Sequence, residues 1–267
     1  MDYISKLKKI IKRNRSNVVI GLDTDIKKIP LVFKKYKNPV FEFNKRIINL
    51  TSQFVTGYKI NVAFYESSYG YETLEKLSKL FNDRNVFISD AKRGDIDNSA
   101  QYYADYHLGK LNFDAITISP YMGIDAVEPF FKMKDKYVYL LALTSNRGSK
   151  DFQKLKTGNK FLYEVIIEKS MKWADNIGFV FGANYPKEIN KFTRKNKNVS
   201  LLIPGIGAQN NDLENLIKNI KNDCFVINSS RGIIYSSAKN SSLKEFDKSI
   251  LNSVNILNTQ INILKYK

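Results

Sequence analysis

Along this chain, short runs of β-branched and aromatic residues alternate with longer stretches in which apolar residues recur every three or four positions. Eight such runs stand out: VVIGLD at 18–23, VTGYKI at 55–60, VFISD at 86–90, AITIS at 115–119, YVYLLAL at 137–143, IGFVFG at 177–182, SLLIP at 200–204 and CFVIN at 224–228. Runs of this length and composition predict buried strands. Segments between them, such as PVFEFNKRIINLTSQF, YETLEKLSKLF and NDLENLIKNI, carry the spacing of helices that bury one face. Strands alternating with helices predict a parallel sheet covered by helices, and eight repeats in roughly 250 residues predict a closed (β/α)8 TIM barrel. An open doubly wound sheet is the alternative. Ahead of the first strand, ISKLKKIIKRNR places Ile4, Leu7, Ile10 and Ile11 at helical spacing among cations. The expectation is a helix that caps one end of a single domain spanning residues 1–267; a membrane-surface role for it is the alternative.

A barrel concentrates its chemistry at the C-terminal ends of its strands and in the loops that follow. Asp23 ends the first run, Lys59 and Asn61 close the second, and Asp90 and Lys92 close the third, with Asp95 in the D-x-K-x-x-D spacing. TSNRGS follows the fifth run, PGIGAQNND the seventh and SSRG the eighth. An alternating row of Lys59, Asp90, Lys92 and Asp95 would keep every member ionised, because each charge lies between opposite ones. A purely structural ion-pair network would use the same residues but would not need to face the barrel mouth. The GIGAQ loop exposes backbone N–H groups, and Arg231 can fork onto phosphate oxygens at the start of a short helix. Loops after strands seven and eight are the usual phosphate cradle of barrels; the bland alternative is that Gly205 and Gly207 shape a turn and Arg231 is a surface charge.

The chain has 267 residues, 43% of them hydrophobic, enough for one large core without a second domain. No apolar run approaches the ~18 residues of a membrane span, and no segment resembles a signal peptide, so an intracellular, cytoplasmic protein is expected. Its single cysteine, Cys224, cannot form an internal disulfide, and with one histidine, His107, transition-metal ligands are few, although carboxylates could hold Mg²⁺. A net charge of +17 invites an anionic partner, yet 35 Lys against 8 Arg with 28 Asn is what a compositional drift toward Lys and Asn produces. No stripe of interleaved cations and aromatics tracks a phosphate backbone, so no nucleic-acid partner is expected.

Taken in order, GLDTD, YKINVAFYES, SDAKRGDI, FDAITISPYMG, LALTSN, FVFGAN, PGIGAQ and SSRGIIY resemble the orotidine 5'-phosphate decarboxylase family, in its long-loop bacterial and protozoal branch. The resemblance implies conversion of orotidine 5'-phosphate (OMP) to UMP and CO₂ without cofactor or metal. It implies a catalytic Lys-Asp-Lys-Asp network of Lys59, Asp90, Lys92 and Asp95, with Lys92 as proton donor. It further implies a homodimer in which Asp95 and Ser99 enter the partner's site. Asp23 would contact ribose, Ser145 the pyrimidine, and Gln209 and Arg231 the phosphate. A complex with a separate orotate phosphoribosyltransferase is compatible with this reading. Two departures from the family pattern, Arg147 in place of proline and Asn210 and Asn211 in place of glycines, bear on loop closure. The nearest rival is a Mg²⁺-dependent sugar-phosphate decarboxylase or aldolase of the same superfamily, which shares D-x-K-x-x-D; Lys59, TSN and PGIGAQ argue against it.

Overall fold

The computed structural model describes residues 1–68, 70–206 and 213–266. Eight parallel strands close into a barrel in sequence order, each hydrogen-bonded to its neighbours: β1 (Val18–Gly21), β2 (Gly57–Asn61), β3 (Val86–Arg93), β4 (Ala115–Ile118), β5 (Tyr137–Leu143), β6 (Ile177–Phe181), β7 (Leu201–Pro204) and β8 (Phe225–Ser229). All eight fall within or overlap the runs expected from the pattern. β3 continues three residues past its expected end, to Arg93, and a small antiparallel hairpin, Lys156–Thr157 with Lys160–Phe161, follows β5.

Strand periodicity divides the side chains into two layers. Ile20, Tyr58, Phe87, Ile116, Leu140, Phe179, Ile203 and Ile227 point outward into the layer shared with the helices. Val19, Val86, Ile88, Ala115, Tyr139, Val180, Leu202 and Val226 point inward and fill the barrel. The helices start where the sequence supplies a cap: helix Pro39–Thr51 has proline in its first turn, and the Asn38 side chain accepts from Phe41 N at 2.9 Å. Helix Leu243–Lys265 opens on a Ser242/Glu245 capping box.

The expected N-terminal cap is α1 (Tyr3–Asn14), which plugs the end of the barrel where the strands begin. Tyr3, Leu7, Ile10 and Ile11 are buried against the inner layer; the Tyr3 ring stacks on Tyr137 at 4.7 Å, and Lys6 pairs with Asp114 at 2.7 Å. With that end covered by α1, the end where the strands finish is left to receive a ligand. No helix among the described residues is long and apolar enough to cross a membrane.

Candidate active site

The alternation that packs the barrel also aims its charges. Tyr58 and Ile60 face the helices, so Lys59 between them faces inward; Asp90 shares the inward face of β3 with Val86 and Ile88. Register then brings them together, since Lys59 lies opposite Ile88 and Asn61 opposite Asp90. Lys59 Nζ lies 2.6 Å from Asp90 Oδ2 and 3.5 Å from Asp23 Oδ1, and Lys92 Nζ lies 2.5 Å from Asp90 Oδ1. Asp23, Lys59, Asp90 and Lys92 thus form one continuous row.

Two residues apart on a regular strand, Asp90 and Lys92 would stand side by side with parallel side chains. A bulge changes this. Ser89 pairs with Ile116 and Arg93 with Ile118, so three residues of β3 span the space of one residue of β4, Thr117. Lys92 takes a left-handed backbone, φ 48°, that costs a non-glycine residue about 1 kcal/mol or more. Thr117 fills the bulge: its hydroxyl donates to Asp90 Oδ1 at 3.0 Å and accepts from Lys92 N at 3.0 Å. A single hydroxyl therefore sets both the carboxylate and the backbone that carries the second ammonium.

Lys59 and Asp90 are 4% and 8% exposed. Burial by itself would push the Asp90 carboxyl up, but Lys59 and Lys92 outweigh it and hold the group well below the usual carboxylate range. Burial likewise opposes the charge on Lys59, and Asp90 with Asp23 outweighs it, raising that ammonium above its ordinary value. Both groups stay ionised at neutral pH. Buried ion pairs contribute little net stability over apolar packing, so such a row at a barrel mouth points to chemistry rather than to folding.

The row lines a cavity of about 460 Å³ together with Ser145, Asn228 and the apolar side chains of Leu141, Val180 and Leu202. Ser145 reaches this cavity because residue 182 is glycine: a Cβ there would lie 2.8 Å from the Ser145 backbone. The turn carrying Ser145 and Arg147 is tied by Gln153, whose Oε1 accepts from Thr144 N at 2.7 Å and whose Nε2 donates to Thr144 Oγ1 at 2.9 Å. Arg147 itself is exposed. Arg231 is exposed at the start of the short helix Arg231–Ile234, immediately after β8.

Asp95 does not join the row within its own chain; its Oδ1 accepts from Ile96 N at 2.9 Å, and Ser99, on helix Asp97–Ala104, is exposed. Gln209, Asn210 and Asn211 lie outside the described residues. Sequence reasoning missed Thr117, Asn228, Gln153 and Ser230. Thr117 carried a usable signal, a polar residue inside the otherwise apolar AITI, on the inward phase of its strand. Among the described residues no group of three or more His, Cys, Asp and Glu could hold a metal ion.

Comparison with known proteins matches residues 16–246 to a family model described as "Orotidine 5'-phosphate decarboxylase / HUMPS family". The chain is 44% identical over 246 residues to the orotidine 5'-phosphate decarboxylase of Dehalococcoides mccartyi strain CBDB1, covering 88% of this chain and 89% of that protein. It is 46% identical over 239 residues to that of Christiangramia forsetii, covering 85% and 87%. Among solved structures it is similar to the OMP decarboxylase of Leishmania donovani, with TM-score 0.84, 30% identity and full coverage of both chains. It is also similar to the UMP synthase of that organism, with TM-score 0.86 and 31% identity, covering all of this chain and 57% of the other.

Proposed function

The chain belongs to the orotidine 5'-phosphate decarboxylase / HUMPS family, and from that membership we propose how its barrel mouth removes CO₂ from OMP. The reaction is carboxy-lyase chemistry: the C6–carboxylate bond breaks, its electron pair stays on C6, and CO₂ departs. The pyrimidine delocalises such a carbanion poorly, so neighbouring charges must stabilise it. In our reading the Lys92 ammonium lies against C6, offsets the developing negative charge, and then gives its proton to C6 to form UMP. Asp90, kept ionised by Lys59 and Lys92, faces the substrate carboxylate and repels it, a strain relieved as CO₂ leaves. Asp23 holds ribose and Ser145 the pyrimidine. Gln209 and Arg231 hold the phosphate, whose binding energy orients the remote reacting carbon. The observation that carries this reading is the unbroken Asp23–Lys59–Asp90–Lys92 row lining the open end of the barrel.

We further propose that the enzyme works as a homodimer in which Asp95 and Ser99 complete the partner's site. Exposed apolar side chains support it: Ile96 at the start of helix Asp97–Ala104, Tyr102 on that helix, and Tyr121, Met122 and Ile124 after β4, where the turn Ile124–Ala126 packs against the same helix. Isologous contact of this face would cover them and bring two Asp95 side chains across the axis. The likeness to a longer UMP synthase supports a complex with a separate orotate phosphoribosyltransferase. A nucleotide dianion does not cross a bilayer unaided, so we place the enzyme in the cytoplasm with its substrate.

The test is the absorbance change of OMP mixed with purified protein, with and without excess EDTA. Conversion unaffected by the chelator is expected, and Lys92→Ala should abolish it while OMP still binds. Folded protein that leaves OMP intact, or that turns it over only with Mg²⁺, would overturn the mechanism and return the sugar-phosphate reading.

A further inference from the structure

The residue before Arg231 sits where a serine normally caps a helix. Ser230 O accepts from Ile233 N at 2.9 Å and Ile234 N at 3.0 Å, the backbone bonds of a helix start, yet its hydroxyl makes no cap bond. Instead the hydroxyl donates to Asp23 Oδ2 at 2.8 Å and accepts from Asn228 Nδ2 at 3.3 Å. This approach needs glycine at position 21, because a Cβ there would lie 1.8 Å from Ser230 Oγ. At the far end of the same short helix, Tyr235 OH donates to Asp23 O at 3.2 Å and accepts from Asp25 N at 2.6 Å. The segment after β8 therefore grips Asp23 by both its side chain and its backbone.

Asp23 is in turn the outer member of the charged row. Among the described residues its Oδ1 is buried without a hydrogen bond and faces the Lys59 ammonium at 3.5 Å, while Asp90 holds the same ammonium at 2.6 Å. Rotation of the Asp23 carboxylate changes how Lys59 divides its attraction between the two carboxylates, and so changes the field at Asp90 and Lys92.

We infer that Ser230 is a positioning residue that carries the effect of phosphate binding at Arg231 to the charged row by orienting Asp23. The inference rests on the assignment of Arg231 to phosphate. It makes Ser230 the covalent neighbour of the phosphate ligand and the hydrogen-bond partner of the row, so that binding energy from one end of the substrate sets the geometry at the other.

The experiment measures kcat and KM of Ser230→Ala, Ser230→Thr, Arg231→Ala and the Ser230→Ala/Arg231→Ala double variant on OMP and on orotidine, which lacks the phosphate. Ser230→Ala should lower kcat/KM on OMP by about 10- to 100-fold, the range set by one hydrogen bond to a charged group, chiefly through kcat. On orotidine the same change should cost less than about 3-fold, since there is no phosphate to couple. The double variant should lose less than the product of the single losses, and Ser230→Thr, which keeps the hydroxyl, should recover most of the activity. Equal losses on both substrates with multiplicative single effects would overturn the inference and leave Ser230 a local support; so would no loss at all. An Arg231→Ala variant with unchanged KM for OMP would instead remove the phosphate assignment on which the inference stands.

Discussion

Replacing His107 with asparagine removes the only imidazole in the chain, and it should remove the stability change expected between pH 7 and pH 5. His107 lies in the π-helical turn Asp105–Lys110, fully buried, with Nδ1 3.0 Å from Ser89 Oγ on β3 and Nε2 without a partner among the described residues. Burial pushes its pKa down to about 4, the Arg93 guanidinium adds to the effect, and Glu66 opposes it. The folded protein therefore keeps the ring neutral while the unfolded chain takes up a proton near its ordinary value of 6.5. Over that interval the unfolded state binds more protons, so stability is complete above about pH 6.5 and is lost as pH falls toward 4. Those two values give a loss of about 2 kcal/mol between pH 7 and pH 5, or roughly 4–8 °C in Tm for a chain of this size. Urea titrations at pH 7, 6 and 5 on both proteins measure it, because the carboxylates titrate alike in each and cancel in the difference. His107→Asn starts less stable, having lost ring packing, but should lose about 2 kcal/mol less on acidification. Parallel pH profiles for the two proteins would refute the assignment of a buried, neutral imidazole.

Thr117→Val keeps the shape but leaves the Asp90 carboxylate and the Lys92 N–H each one partner short. Its urea midpoint should fall by the equivalent of about 1.5–3 kcal/mol with m unchanged, and kcat should drop at least about tenfold; a change under about 0.5 kcal/mol would show the bulge does not depend on the hydroxyl. Leu7→Ala, at the plugged end, should cost about 2–5 kcal/mol of stability while kcat/KM at 25 °C stays unchanged, since Leu7 is fully buried and opposite the cavity; calorimetry and steady-state kinetics on one preparation check both halves. If Asp95 serves the partner's site, Lys92→Ala and Asp95→Asn proteins, each inactive alone, should recover about a quarter of wild-type activity after equimolar subunit exchange, because half the dimers are mixed and each holds one intact site. Absence of recovery despite demonstrated exchange counts against a shared site.

The sequence alone determined the barrel and the candidate side chains. Apolar runs separated by amphipathic segments are local patterns, and eight of them leave few topologies, so strand order and the address of the chemistry were legible before any coordinate. Lys59, Asp90 and Lys92 could be named because they stand at strand ends, and the order of motifs from GLDTD to SSRGIIY identified the family. What periodicity could not reach was decided between strands. Whether Asp90 and Lys92 converge depends on three residues of β3 facing one residue of β4, on the left-handed backbone at Lys92, and on the Thr117 hydroxyl that fills the bulge. Ser230 carried no signal along the chain and is a partner of Asp23, more than 200 positions away, because closing the barrel lays β8 beside β1. Hydrophobic spacing is written in the order of residues along one segment, whereas register, bulges and hydrogen bonds between side chains depend on which segments end up adjacent, and only the closed barrel settles that.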